Sequence, residues 1–167
     1  MHYAQIRKYD TANGPGIRSS LFVSGCTHQC KGCFNEDYKN FRYGNKWTSE
    51  TCDRFLEMIA DPQIKGVTIL GGEPMDQIQD DQLLNLLKRI KNETGKNIWL
   101  YSGYTYEQIL QHEKRKEILF FCDALVDGLF ELELKDLKLK FRGSNNQRII
   151  DVQKSLVENE VQFLAGY

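Results

Sequence analysis

Short apolar segments alternate with amphipathic helical segments along most of the chain, and this alternation restricts the fold more than any other feature. The pattern predicts strands at residues 17–24, 66–70, 97–101 and 123–127. It predicts helices at residues 49–60, 78–94 and 151–158, with a further helix opened by a capping box at Thr105–Gln108. Such alternation produces parallel β/α units with right-handed crossovers. About four to five units fit, too few for an eight-unit barrel, so we predict an α/β fold in the form of an open, partial β/α barrel.

Length and charge narrow the class of protein. With 167 residues and 41% hydrophobic content, we predict one domain over residues 1–167. The net charge of −1 argues against nucleic acid as the main partner. The longest apolar run, Ile118–Cys122, is too short to cross a membrane, and the first residues lack the apolar segment of a secretory signal. We therefore expect a cytoplasmic protein with no membrane partner, in which clustered cysteines favour metal or redox chemistry over disulfides.

Three cysteines follow the first predicted strand directly. Cys26, Cys30 and Cys33 have the spacing C-x3-C-x2-C. Thiolates are preferred ligands of iron–sulfur clusters. Three thiolates on one loop predict a [4Fe–4S] cluster whose fourth iron lacks a protein ligand and stays open to a small molecule.

Structural zinc is the alternative for these cysteines. A closed zinc site needs four ligands, typically from paired C-x2-C elements, and only Cys30 and Cys33 have that spacing. A fourth ligand would have to come from His28, Cys52, His112 or Cys122, none of which has a recognisable zinc spacing. Cys52 and Cys122 fall in a predicted helix and at the edge of an apolar strand, where we expect them to be packing residues.

A glycine-rich turn, Gly71-Gly72-Glu73-Pro74, follows the second predicted strand. It is either an ordinary turn or a binding loop. Its glycines permit a close approach of the backbone, and Pro74 favours an extended Glu73. Such a loop can direct backbone carbonyls, or the Glu73 carboxylate, at a ligand ammonium group. Both motifs lie just past predicted strands, at the edge where parallel α/β folds place their active sites.

Together, the cysteine motif and this turn resemble those of the radical S-adenosylmethionine (SAM) enzymes. Most members have an aromatic residue just before the third cysteine, whereas this chain has Gly32 there and Phe34 afterwards. That variant is similar to the activating enzymes of anaerobic ribonucleotide reductase. The resemblance extends to about residue 151 and includes Asn13–Arg18, Tyr101–Thr105, Leu125–Gly128 and Phe141–Arg148.

The resemblance implies a set of site residues. Cys26, Cys30 and Cys33 would hold the cluster, and Gly71, Gly72, Glu73 and Pro74 would hold the amino group of SAM. Gly32, Cys33 and Phe34 would contact its adenine. Ser102, Gly103 and Asp127 are weaker candidates for cofactor contacts, because they end later strands. No catalytic residue beyond the cluster ligands is expected, since hydrogen-atom abstraction needs no acid–base group.

The resemblance also implies an activity and partners. The enzyme would cleave SAM reductively and generate a glycyl radical on the large subunit of anaerobic ribonucleotide reductase. It would need a low-potential electron donor such as flavodoxin or ferredoxin, and it would form a homodimer or a complex with the reductase. Three alternatives stay open: an activase of another glycyl-radical enzyme of the pyruvate formate-lyase type, a small-molecule radical SAM enzyme of the deazaguanine synthase type, and a non-catalytic metal-binding or electron-transfer module.

Three polar segments remain to be interpreted, and two of them allow both a structural and a functional interpretation. Asn13–Arg18 is either a turn with Arg18 as a strand-edge charge or an activase feature without an assigned role. Phe141–Arg148 is either a surface turn or a partner-docking surface. The charged run Glu113–Glu117 predicts a solvated helix face. Trp47 and Trp99 are expected to be packing residues.

Overall fold

Seven strands form one sheet in the computed structural model, which describes residues 1–167. The strands are β1 (His2–Asp10), β2 (Arg18–Ser24), β3 (Asn45–Lys46), β4 (Gly66–Gly71), β5 (Asn97–Tyr101), β6 (Ala124–Asp127) and β7 (Arg148–Asp151). The α-helices are α1 (Ser49–Ile59), α2 (Gln82–Arg89), α3 (Tyr106–Leu110), α4 (Glu113–Phe120) and α5 (Val152–Glu158). The order across the sheet is β3-β1-β2-β4-β5-β6-β7.

The centre of the sheet is parallel. β2, β4, β5 and β6 are neighbours in chain order and all run in the same direction. β1, β3 and β7 pair antiparallel at the two sides. Because the four parallel strands end at the same edge, the connections that follow them are brought together there.

The helices share one face of the sheet. Alternate strand residues such as Ile69, Leu100 and Leu125 join a cluster of 25 buried residues to which the helices contribute. The opposite face carries a smaller cluster of Trp99, Ala124, Val126 and Ile149. A one-directional strand order with helices on one face differs from a doubly wound sheet, in which the strand order reverses.

The predicted helix 78–94 is shorter and ends differently in the structure. It begins at Gln82. The Met1 ammonium donates there to Asp80 Oδ2 and to Gln82 Oε1, both at 2.7 Å. Its last turn, Ile90–Thr94, is π-helical. Gly95 then ends the segment at a φ of 62°, as its position predicted. The capping box at Thr105 and Gln108 is confirmed.

Three antiparallel strands escaped prediction, among them the two-residue β3. β1 has no clear alternation of buried and exposed residues, and β7 follows a polar segment. Both strands are defined by backbone pairing with a neighbouring strand, β1 with β2 and β7 with β6, and a local hydrophobic pattern does not reveal such pairing.

The interpretation of Arg18 as a strand-edge charge is wrong. Arg18 starts β2, but its side chain crosses the strand ends and is only 2% exposed. Its guanidinium donates to Thr68 Oγ1 at 2.7 Å and to the Val67 carbonyl at 2.6 Å. Burial lowers its pKa to about 10. Trp47 and Trp99 are buried packing residues, as expected.

Candidate functional site

The connections after the four parallel strands enclose a cavity of about 140 Å³ at the sheet edge. Cys26, Cys30 and Cys33 line it from the connection after β2. Gly71, Gly72 and Glu73 line it from the end of β4, and Ser102 and Gly103 from the end of β5. The structure therefore brings together predicted residues that lie up to 77 positions apart in the chain.

Backbone pairing joins the cysteine loop to the glycine-rich turn. The Gly72 amide donates to the Val23 carbonyl and the Glu73 amide to the Gly25 carbonyl, both at 2.8 Å. Gly25 itself donates to the Tyr38 carbonyl at 2.7 Å. These bonds extend the β2–β4 ladder past the strand ends, so the position of one loop fixes that of the other.

Gly72 is required by this packing. A Cβ there would lie 2.5 Å from the Gly25 carbonyl oxygen and 2.9 Å from that of Tyr38. Gly71 has a φ of 112°, and a Cβ there would lie 2.7 Å from the Val23 carbonyl oxygen. The close approach that the glycines predicted is thus made first to the protein's own backbone.

The Glu73 carboxylate is fully engaged within the protein and is 1% exposed. Oε1 accepts the Met75 amide and the Ser102 hydroxyl, both at 2.8 Å. Oε2 accepts the Gly103 amide at 2.7 Å and pairs with His28 Nε2 at 3.1 Å. The carboxylate therefore ties the three connections together. By contrast, the Gly72 carbonyl accepts no hydrogen bond from the protein.

The three cysteine thiols of the site are free and half-buried. Burial raises the pKa of Cys26 to about 12 and also raises that of Cys30. Without a bound cation these two thiols therefore stay protonated at neutral pH. A bound metal would favour the thiolate, and its binding would release the thiol protons. Cys52 and Cys122 are buried away from the site in the helix-covered core, as expected for packing residues.

Aromatic side chains form the remaining wall. Phe34 and Phe130 pack with ring centroids 4.8 Å apart, and both line the cysteine cavity and a larger neighbouring cavity of about 320 Å³. Gly32 has a φ of 71° and is covered by Leu132. The larger cavity is also lined by Asn13, Leu70, Tyr101, Phe141 and Arg142.

Three of the predicted site residues, Gly32, Pro74 and Asp127, do not line either cavity. Asp127 is 1% exposed, and its carboxylate accepts from the Arg148 guanidinium and from the Tyr106 amide. Pro74 is buried at the start of a short 3₁₀ turn, Pro74–Asp76. Five residues that line the cysteine cavity were not predicted as site residues: His28, Tyr101, Gly128, Phe130 and Gln147. Three of them, Tyr101, Gly128 and Gln147, lie in segments that carry the family resemblance, and His28 lies between the first two cysteines. The signal for Phe130 was its position shortly after a predicted strand.

Comparison with known proteins identifies the family. The family model described as "4Fe-4S single cluster domain" matches residues 12–150. An anaerobic ribonucleoside-triphosphate reductase-activating protein of Vibrio cholerae is 41% identical over 152 residues, which cover 89% of this chain and 97% of the relative. The chain belongs to the family of anaerobic ribonucleoside-triphosphate reductase-activating proteins.

Other members of this activating-protein family agree. The protein of that name from Enterobacteria phage T4 is 38% identical over 150 residues, covering 89% of this chain and 93% of the relative. That from Escherichia coli K12 is 37% identical over 150 residues, covering 88% of this chain and 96% of the relative.

None of the helices in the structure combines the length and apolar composition needed to cross a bilayer.

The cysteine cavity suits the cluster that the family model describes. No three His, Cys, Asp or Glu side chains of residues 1–167 are arranged around one point to hold a single metal ion. A cubane cluster makes a different demand, because each cysteine binds its own iron. Three free thiols that line one cavity, with no disulfide between them, provide the donors for three such corners.

Proposed function

We propose that this activating protein is a radical SAM enzyme that generates a glycyl radical on anaerobic ribonucleotide reductase. The observation that carries the proposal is the shared cavity: the three cysteines, Gly72 and the aromatic Phe34 line the same space, and the Gly72 carbonyl accepts no hydrogen bond from the protein. A cluster and a SAM molecule would then be neighbours. The names of the relatives support the reductase over the other partners that the motifs allowed.

Cys26, Cys30 and Cys33 are the proposed cluster ligands, which leaves the fourth iron to SAM. When bound, the cluster would supply one electron for the cleavage of SAM into methionine and a 5′-deoxyadenosyl radical, which would take a hydrogen atom from a glycine of the reductase. The chain's own residues hold and orient the reactants. A low-potential donor such as flavodoxin or ferredoxin would supply the electron.

We assign the ammonium group of SAM to the Gly72 carbonyl. Of the two acceptors that the sequence left open, the Glu73 carboxylate already accepts within the protein through both of its oxygens. Glu73 would therefore hold the loop in place, while the free Gly72 carbonyl accepts from the ligand. Phe34 and Phe130 offer an apolar surface for the adenine.

The larger cavity offers a route for the glycine segment of the reductase. It adjoins the cysteine cavity through the shared lining residues Phe34, Tyr101, Phe130 and Gln147. We interpret the sheet as an open, partial barrel in one domain, because its parallel strands follow one direction and its helices share one face. The open side of such a barrel admits a loop of a second protein. We place the reaction in the cytoplasm, where thiols stay reduced.

Anaerobic reconstitution followed by reaction with SAM and a chemical reductant tests the proposal. We expect 5′-deoxyadenosine to form and the EPR spectrum of the reduced cluster to change when SAM is added, because a ligand joins the open iron. With the cognate reductase present, a glycyl-radical doublet should develop on that partner.

Each result can contradict one part of the proposal. An unchanged cluster spectrum without deoxyadenosine would refute the SAM chemistry. Deoxyadenosine without a doublet on the reductase, but with one on another glycyl-radical enzyme, would move the assignment to that partner.

A further inference from the structure

Asp76 lies just behind the glycine-rich turn and contacts the cysteine loop. It ends the 3₁₀ turn Pro74–Asp76, and it is 7% exposed. Its Oδ2 accepts the backbone amide of Thr27 at 2.9 Å and the Thr27 hydroxyl at 2.8 Å. Thr27 directly follows Cys26 and begins the three-residue span between the first two cysteines.

The other oxygen of Asp76 is held from two further elements. Oδ1 accepts the Tyr104 hydroxyl at 2.9 Å, from the connection after β5, and Arg115 Nη2 at 3.3 Å, from α4. Arg115 also donates through Nε to the Met75 carbonyl at 2.9 Å. Two donors thus orient this oxygen of the carboxylate, and one of them, Arg115, is positively charged.

A second contact joins the same elements. The Tyr104 ring packs on the His28 ring with centroids 4.5 Å apart, and the Arg115 guanidinium lies 3.7 Å from the centroid of Tyr104 on the ring face. Arg115 is accordingly half-buried, whereas the other residues of Glu113–Glu117 are exposed, which corrects the prediction of a wholly solvated run at this one position.

We propose that Asp76 is a positioning residue for the cysteine loop, and that it acts through Thr27 to fix the span between Cys26 and Cys30. The inference rests on the proposed ligation by the three cysteines. A hydrogen-bonded group that orients the ligands of a metal site stabilises the bound metal, and its loss typically weakens metal binding by about 10- to 100-fold. Asp76 touches neither the cavity nor a thiol, so its effect is transmitted by the loop.

The Asp76→Ala variant tests the inference against Asp81→Ala. Asp81 is an exposed carboxylate five positions further on, and its side chain makes no capping hydrogen bond. After anaerobic reconstitution, we expect Asp76→Ala to lose iron to a ferrous chelator about tenfold faster than the wild type. Its reduced cluster should also give a shifted EPR spectrum in the absence of SAM, because the loop holds the ligands differently. Asp81→Ala should match the wild type in both measurements.

Two further variants separate positioning from simple destabilisation. Asp76→Asn keeps an oxygen that can accept the Thr27 amide. Its NH2 group would then face Tyr104 and Arg115, where it can donate to the Tyr104 hydroxyl but loses the ion pair with Arg115, so it should restore part of the iron retention. Thr27→Val keeps the backbone amide and removes only the hydroxyl contacts with Asp76 and Tyr104, and it should give a smaller change of the same sign. If Asp76→Ala does not fold, the iron retention of these two variants tests the positioning role of Asp76.

Wild-type iron release and an unchanged spectrum in Asp76→Ala, or no restoration by Asp76→Asn, would overturn the inference. Failure of the underlying ligand assignment has a different signature. In that case Cys26→Ala would retain iron.

Discussion

Buried polar side chains occur at both ends of the parallel strands, and the two ends differ in what these side chains leave unpaired. At the amino-terminal end, the Arg18 guanidinium is held by Thr68 and by the carbonyls of Val67 and Asn97. At the carboxyl-terminal end, Glu73 is equally engaged, but three cysteines with free thiols and Gly72, whose carbonyl accepts no hydrogen bond from the protein, line a cavity. Burial of a charge therefore does not mark a site by itself. Free coordinating and accepting groups beside a cavity do.

The largest expected effect lies at the carboxyl-terminal end. Cys26→Ala should abolish the cluster and the activity, because one of three ligands is lost. Cys52→Ala is the matched control: Cys52 packs in α1 at 7% exposure, and its loss should cost about 1 kcal/mol of unfolding free energy with unchanged iron content. Iron and sulfide analysis after reconstitution checks both. A full iron complement in Cys26→Ala would show that the two ends do not differ as described.

The amino-terminal end should respond in stability alone. Arg18→Met would leave buried acceptors without donors, and we expect the free energy of unfolding to fall by about 3 kcal/mol. The iron content of the folded protein should stay unchanged. Urea denaturation should compare Arg18→Met with the control Arg54→Met, in which the replaced arginine is exposed and pairs only with Glu50. Equal free energies of unfolding for the two variants would show that Arg18 does not stabilise the fold.

Two glycines, Gly66 at the start of β4 and Gly72 just past its end, give a matched test of both ends. A Cβ on Gly66 would lie 2.5 Å from the Asn97 carbonyl oxygen, and a Cβ on Gly72 would lie 2.5 Å from that of Gly25. Gly66→Ala and Gly72→Ala should each cost about 2 kcal/mol of unfolding free energy, because backbone must shift. Only Gly72→Ala should weaken the EPR change on SAM addition. A loss of that change in Gly66→Ala would contradict the assignment.

The smallest effect concerns the pH dependence of an ion pair at the carboxyl-terminal end. Hydrogen bonds from Arg148 lower the pKa of Glu107 from 4.5 to about 2. Because the folded pKa is below the unfolded one, this contribution to stability is complete above about pH 4.5 and is lost as the pH falls toward 2. Urea midpoints across this window should fall more steeply with acid in the wild type than in Glu107→Gln. Parallel curves would show that the pair contributes nothing.

Much of the candidate site could be predicted because its motifs are local. The spacing of Cys26, Cys30 and Cys33 places them on one loop, and Gly71–Pro74 follows an apolar strand, so both motifs could be recognised without knowledge of tertiary contacts. Asp127 was predicted as a site residue from its strand-end position, yet the structure pairs its carboxylate with Arg148 and the Tyr106 amide. A strand-end position does not tell whether a side chain faces a cavity or a neighbour in the fold.

The sequence by itself determined the alternation of strands and helices, the cysteine motif and the family resemblance, because periodicity and spacing are properties of short segments. The tertiary structure alone decided which partners these residues meet. It paired β1 and β7 into the sheet, buried Arg18 among backbone carbonyls, engaged the Glu73 carboxylate within the protein, and left the Gly72 carbonyl without a hydrogen bond from the protein. Each of these depends on hydrogen bonds between residues far apart in the chain, which no local pattern specifies.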